Sequence, residues 1–486
     1  MSHSSNPHHE RRWAILAILG IAQLMVVLDA TIVNIALPSA QKALHFSNDN
    51  RQWIVTAYSL AFGSLLLLGG KISDLFGRKW TFIAGLSGFA LASAVGGAAQ
   101  SFGMLATSRA FQGAFGALLA PAALSLLTTT FTETSERNKA FGIYGAIAGS
   151  GASVGLLLGG LLTQGLDWRA VMYVNLVFAV IAVSGAVMLL HNQAPATKPR
   201  VDIPGVVTVS AGLFALVFGF NHAETTSWSN PVTLAVLAAG VSLLAVFAAI
   251  ERRVSNPLLP LRVVLDRNRG ASFISMGLAA VAMFGVFLFL TYYLQVNRGY
   301  SPVTTGLAFL PMTVVVMVTA IVATTRLRSR FGPRPLVVAG MALGAVAMLI
   351  LRGIGMDTSY AGGILPALVI MGIGLGLVFS TVMNNATLGV KPADAGVASA
   401  TVNAAQQVGA SLGTALLSTL AASAATSLAA GQRPTPALMA QAAIHGYTTA
   451  FTVSAGVFAA AAVIAGLLFT RQQEEPVVTG DVVLAA

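Results

Sequence analysis

The chain has 486 residues, 56% of them hydrophobic and only 9% charged, and its net charge is +11. A soluble domain carries about 25% charged residues, so this composition excludes an ordinary soluble enzyme, and long uninterrupted apolar runs exclude a β-barrel in favour of a polytopic helical membrane protein. There is no cysteine, which excludes disulfides, thiol catalysis and cysteine-ligated metals.

In chain order, the polar residues 1–12 read as a tail before an uncleaved first span, because the apolar run that follows is about 25 residues, too long for a signal-peptide core. Runs near the spanning length fall at 13–37, 52–70, 80–100, 103–127, 140–163, 168–190, 203–222, 232–250, 271–294, 303–325, 335–351, 363–386, 396–422 and 445–470. The sequence therefore predicts fourteen spans, joined by short Gly-, Pro- and Arg-bearing turns. With the N-terminus inside, the inner segments hold 20 of the 27 Lys and Arg, the outer segments hold 6, and Arg109 lies within a span. That bias predicts both termini in the cytoplasm, and it accounts for the positive charge without a nucleic-acid partner. Arg outnumbers Lys 21 to 6, the usage of a GC-rich bacterium.

The first span carries Asp29, with no other charge between Arg12 and Lys42. A carboxylate in hydrocarbon costs at least a few kcal/mol, so an intramembrane acid is a functional candidate by default. Asp29 lies about 12 Å from the outer end of its span and Arg109 about 9 Å from the outer end of the fourth, so the two can meet. The arginine favours the charged carboxylate and burial favours the protonated one. A site poised between those terms can load and release a proton; the plain alternative is a structural ion pair.

The segment from Gly70 to Lys79 links the second and third spans. It reads as an ordinary basic loop or as a latch, with Gly70 and Gly77 allowing close approach and a tight turn and Asp74 facing the cations Arg78 and Lys79. On the fifth span Gly151, Gly155 and Gly159 recur every fourth residue beside Gly142 and Gly160, which bares one helix face for a neighbour. An internal repeat is visible. Gly151-Ala152-Ser153-Val154-Gly155 returns as Gly409-Ala410-Ser411-Leu412-Gly413, and Leu75-Phe76-Gly77 is echoed by Arg330-Phe331-Gly332, at offsets of 258 and 255. The plan is six spans, two inserted spans, then six spans: tail 1–12, first half 13–190, insertion 191–262, second half 263–470 and tail 471–486. Two six-span halves place a substrate at the midplane between them.

Taken together, the Leu28–Pro38 stretch, the Gly70–Lys79 loop, Ser108-Arg109-Ala110-Phe111-Gln112-Gly113 and the fifth-span glycines resemble the major facilitator superfamily. They resemble in particular its fourteen-span drug:proton antiporter branch (EmrB/QacA-like), over essentially the whole chain. The resemblance implies an all-α major facilitator fold in a bacterial inner membrane. It implies a gating motif at Gly70, Asp74, Gly77, Arg78 and Lys79, a first-span motif with Asp29, Thr31, Asn34 and Pro38, and a proton-transfer motif around Arg109. It implies an antiporter motif on the fifth helix, at Gly151, Gly155, Gly159 and Gly160. The chain departs from that last motif at Leu156, where the family expects proline, so a proline kink is missing.

The expected function is proton-coupled export of hydrophobic small molecules by alternating access, with Asp29 carrying the proton and Arg109 tuning it. Candidate substrate contacts are Asn34, Tyr58, Gln112, Phe284, Tyr292, Asn384, Asn403 and Gln407. No P-loop and no metal-spaced His/Asp/Glu cluster appears, so the expectation is no cofactor and no metal, a proton gradient as energy source, and no enzymatic activity. The expected partners are a small-molecule substrate, protons and the bilayer, around a monomer. Two other readings stay open: a specific carrier of one metabolite, lipid or self-made antibiotic, and a non-transporting membrane sensor or enzyme.

Overall fold

The computed structural model describes residues 11–46, 48–191, 202–255, 257–391, 394–433 and 435–470. The tails 1–10 and 471–486, most of the predicted linker at 192–201, and the side chains of Asn34 and Leu156 lie outside the described residues. The described chain forms fourteen long helices: α1 (Arg12–Leu44), α2 (Asn48–Phe76), α3 (Arg78–Gly97), α4 (Phe102–Thr130), α5 (Thr134–Gly165), α6 (Ala170–Leu189), α7 (Ile203–Thr225), α8 (Pro231–Glu251), α9 (Arg267–Asn297), α10 (Val303–Phe331), α11 (Pro333–Leu351), α12 (Tyr360–Thr387), α13 (Ala395–Ala429) and α14 (Pro436–Leu468). Over their described residues, 13 of them meet the length and hydropathy of a membrane span. At 32 residues α5 is long enough to span as well. It packs along its length between α1 and α10 as the fifth span.

Helix α1 continues to Leu44, past the expected end at Leu37. Its extra turns are held by packing, since Val33, Ala36, Leu37 and Ala40 join Ile54, Leu105, Trp168 and Met172 in an apolar cluster at the outer end.

The repeat predicted from the sequence is a repeat of packing. In the first half α5 lies on α1, α4 on α2 and α3, and α6 on α1 and α3. In the second half α13 lies on α9, α12 on α10 and α11, and α14 on α9 and α11. Gly77 and Gly332 both take positive φ, 93° and 74°, and each turns the chain directly into the next helix. Side chains at that φ cost roughly 1–2 kcal/mol, so glycine is required at both turns. The helical glycines match as well. A Cβ on Gly151, Gly155 or Gly159 would collide with Val27, Thr31 or Ile32 of α1, and one on Gly409 or Gly413 with Gly277 or Val281 of α9. Gly155→Ala is therefore expected to cost roughly 1–3 kcal/mol through overpacking. A thermal melt of the purified variant several degrees below wild type checks it; an unchanged melt contradicts the packing argument.

The halves meet through α5 with α10 and α2 with α13. The α5–α10 seam closes along its length: Gly306 leaves a point 2.8 Å from the Leu157 backbone, and Gly142 abuts Ala320 and Thr324. The α2–α13 seam is joined by the inserted pair. Asn221 of α7 accepts a hydrogen bond from Thr56 of α2 at 3.3 Å, and the Trp228 indole beyond α7 donates to Thr419 of α13 at 3.1 Å. Helix α8 packs mainly on α7 and presents most of its surface outward. The symmetry is broken in the second half. There, among the described residues, π-helical turns widen α9 at 286–290 and 293–297, α10 at 323–327 and α12 at 360–364.

Candidate functional site

Asp29 is completely buried, and so, at 1% exposure, is Arg109. Arg109 Nη1 lies 2.5 Å from Asp29 Oδ2. The other carboxylate oxygen accepts from the Gln112 amide at 3.1 Å and from the Asn175 amide at 2.8 Å. Asn175 also donates to Ser93 Oγ at 2.9 Å, and the Ser93 hydroxyl donates to the Met172 carbonyl at 2.8 Å. The guanidinium donates to Gln112 Oε1 at 2.9 Å and to the Ile54 carbonyl at 3.4 Å, and it lies 4.4 Å over the Tyr58 ring. Six helices thus build the centre. Helix α1 brings the acid, α4 the arginine and Gln112, α2 the Ile54 carbonyl and Tyr58, α3 Ser93 and α6 Asn175. Helix α5 lends its bare glycine face, which packs on the turn of α1 that holds Asp29.

Burying two charges is stable only when the geometry is good and the remaining lone pairs and protons are satisfied. Here the carboxylate has three donors and the guanidinium has two acceptors and an aromatic face besides the acid. Asn175 and Ser93 escaped the sequence reading. Asn175 is a lone amide in the apolar sixth span, which alone reads as helix bridging. Gln112 and Tyr58, grouped with the substrate contacts, touch the ion pair directly. Asn175→Ala would strip one donor from Asp29 and one from Ser93 together. The expected cost is about 1–3 kcal/mol, the range for a buried group left without its partner. A melt of the purified variant measures it, and an unchanged midpoint would contradict the network.

The gating residues lie where α2 meets α13 at the basic end of the molecule. The Gly396 amide, in the first turn of α13, donates to Asp74 Oδ1 at 3.2 Å, and Arg78 lies 3.6 Å from the same oxygen. A carboxylate at a helix N-terminus is stabilised by the exposed amides and the helix dipole. Gly70 allows the approach, because a Cβ there would stand 2.6 Å from the Gly396 carbonyl and 2.8 Å from the Ala400 methyl. Lys79 donates to the Val187 carbonyl at 3.0 Å and so stays within its own half.

A second contact at the same end was not foreseen. Arg137 at the start of α5 donates to Asn384 Oδ1 at 3.2 Å and to Thr387 Oγ1 at 2.9 Å, both on α12 of the other half. Asn384 donates back to Asn138 at 2.7 Å. Asn384 was grouped with the substrate candidates; the structure places it in this buried contact between halves. The position was legible, since Asn384 lies three residues from the basic end of α12.

The other substrate candidates are spread out. Gln407 lies against α2, with Cγ 3.2 Å from where a Gly63 Cβ would be. Asn403 is half-buried and donates to the Ser399 carbonyl of its own helix at 2.8 Å. Phe284 is half-buried, whereas Tyr292 is exposed and stacks on Tyr447 at 6.5 Å. Gly160 is buried on α5. These residues do not converge on one point as the Asp29 network does.

Residues 19–414 match the sequence pattern of the Major Facilitator Superfamily. The chain is 47% identical over 473 residues to the puromycin resistance protein of Streptomyces alboniger, covering 97% of this chain and 94% of that protein. It is 36% identical over 405 residues to the cephamycin export protein of Amycolatopsis lactamdurans, covering 83% of each. It is 38% identical over 418 residues to a tetracenomycin C resistance and export protein of Streptomyces glaucescens, covering 85% of this chain and 76% of that one. Its backbone resembles the crystal structure of the human organic anion transporter MFSD10 with a TM-score of 0.63, over 94% of this chain and 99% of that chain, at 15% identity, a likeness of fold alone. The chain is a multi-pass membrane protein, a transporter and not an enzyme, and it belongs to the Major Facilitator Superfamily, where these relatives are named for antibiotic resistance and export.

Proposed function

We propose that the protein is a proton-coupled antiporter that exports an antibiotic across a bacterial cytoplasmic membrane, with the basic end and both termini in the cytoplasm. The observation that carries this reading is the fully buried Asp29–Arg109 pair within the first half. Besides the acid, Arg109 has partners in Gln112, the Ile54 carbonyl and the Tyr58 ring, so the arginine stays satisfied when Asp29 takes a proton and turns neutral. In the proposed cycle the inward-open protein binds substrate as Asp29 gives its proton to the cytoplasm. The halves then rock, and the Asp74 and Arg137 contacts close the cytoplasmic end. Asp29 is reprotonated from outside as substrate leaves. The energy source is the proton gradient, with no cofactor, and the working unit is a monomer.

The first candidate cargo is puromycin, for which the 47% identical relative is named. Several relatives are named for one antibiotic each, which favours a narrow range over a broad multidrug one. Expression in a drug-sensitive bacterium lacking its own exporters is expected to raise the inhibitory concentration of puromycin at least several-fold, and Asp29→Asn to abolish the gain. No gain for puromycin or for the other relatives' antibiotics, from protein shown to be in the membrane, would overturn the export reading.

A further inference from the structure

We propose that Asp202 and Glu251 form a second proton-binding site, a carboxyl–carboxylate pair at the foot of the inserted helices that clasps the connection into the second half. The two residues open α7 and close α8, and both are almost wholly buried, with 6% and 4% exposure. Asp202 Oδ1 accepts the Gly205 amide at 3.0 Å, as an N-cap does. Its second oxygen, Oδ2, is buried with no hydrogen-bond donor among the described residues. That oxygen and Glu251 Oε1 both border the one place where a Cβ on residue 205 would stand, and glycine leaves the place open. Glu251 Oε1 lies 2.8 Å from that point and Asp202 Oδ2 closer still.

Two buried acceptor oxygens that border one open point need a donor between them. Ionised together they repel; sharing one proton they form a short charge-assisted bond. No ion pair among the described residues includes either carboxyl group. Arg252 and Arg253 are exposed, Arg262 pairs with Asp394 at 2.6 Å, and Lys71 reaches the Pro257 carbonyl at 3.4 Å. Among the described residues the available counter-charge is therefore a proton, which the orphaned Oδ2 accommodates.

The site is tied to the gate. Glu251 accepts the Leu258 amide at 3.2 Å and the Leu259 amide at 3.0 Å, so it holds the connection between α8 and α9. The preceding residue, Pro257, is the one that Lys71 of the gating segment touches. Loss of the shared proton places a second charge in the clasp and loosens the connection. That this clasp senses cytoplasmic pH rests on the orientation proposed above; the proton site itself does not.

The test uses the full chain in lipid nanodiscs with Asp29→Asn as background, so that the transport site contributes nothing. Infrared difference spectra over a pH titration read protonated carboxyl groups directly. The expected result is one protonated carboxyl persisting above about pH 6, where exposed Asp and Glu are ionised. It disappears in Glu251→Gln and separately in Asp202→Asn, whose amides donate to the remaining carboxylate and preserve the fold. A band that is absent from the start, or that survives both variants and vanishes in Asp74→Asn, overturns the assignment. In the same cysteine-free chain, Leu259→Cys is expected to react with a thiol reagent several-fold faster as pH rises, after division by the rate of an exposed cysteine at Phe76→Cys that carries the thiolate's own pH dependence, and at a pH-independent normalised rate when Glu251→Gln is added. A normalised rate without pH dependence in the first of these overturns the clasp.

Discussion

Asp29→Asn is expected to leave substrate binding intact and to abolish gradient-driven export. The amide keeps an oxygen for Arg109 and the shape of the carboxylate; its nitrogen then faces the Gln112 and Asn175 amides, which turn over locally so that an amide oxygen accepts from it. The substituted amide cannot carry a proton. One proton moving through 100 mV is worth about 2.3 kcal/mol, which supports roughly 50-fold accumulation of a neutral solute at 1.4 kcal/mol per tenfold. In the variant that accumulation ratio falls to one. Asp29→Ala is a worse test, because an unpaired buried guanidinium costs about 3–5 kcal/mol and misfolding would mimic loss of function. The measurement is equilibrium binding beside concentrative uptake on one preparation. Concentrative uptake retained by Asp29→Asn would remove Asp29 from the coupling.

Arg137→Ala is expected to open the cytoplasmic end. Its guanidinium gives two hydrogen bonds to α12, at Asn384 and Thr387, and a third to the Thr128 carbonyl in its own half at 3.4 Å. Hydrogen bonds to a charged group are worth about 1.5–3 kcal/mol each. Losing even about 2 kcal/mol of closed-state stabilisation shifts the open–closed equilibrium roughly 30-fold. The start of α5 should survive the change. Glu133 caps it by accepting the Glu136 and Ser135 amides, which hold its carboxyl below the usual carboxylate range, and Arg12 pairs with Glu136 at 2.6 Å. The absence of cysteine makes the measurement clean. Spin labels at Phe76→Cys and Phe331→Cys, exposed and equivalent positions in the two halves, report their separation by electron-spin distance measurement. A new longer distance in Arg137→Ala, growing further with Asp74→Asn, is expected. An unchanged distribution would show that these contacts do not hold the gate.

The parts of this architecture legible in the sequence are those that one-dimensional periodicity and depth can express. Span positions follow from hydropathy, and the repeat follows from paired glycine motifs that turn out to pack in equivalent ways. Asp29 and Arg109 could be matched because each lies a countable number of residues from the same membrane face. Asn175 and Ser93 could not, since an isolated polar residue in an apolar helix bridges helices as readily as it serves a site. Asn384 shows the cost of ignoring depth: a polar residue on a span was grouped with the cavity although it lies at the helix end. The Asp202–Glu251 contact needed coordinates, because 49 positions of sequence separate two residues at opposite ends of a hairpin.

The most direct test of proton coupling is substrate-driven proton movement in proteoliposomes. Purified protein is reconstituted with a pH-sensitive dye in the lumen, and an outward puromycin gradient is imposed with no initial pH difference. Coupled exchange predicts that puromycin leaving the lumen drives protons in, so the lumen acidifies in wild type and not in Asp29→Asn. Puromycin efflux at the same rate in both proteins, with lumenal pH unchanged, would contradict it and leave a facilitator in which Asp29 and Arg109 form only a structural pair.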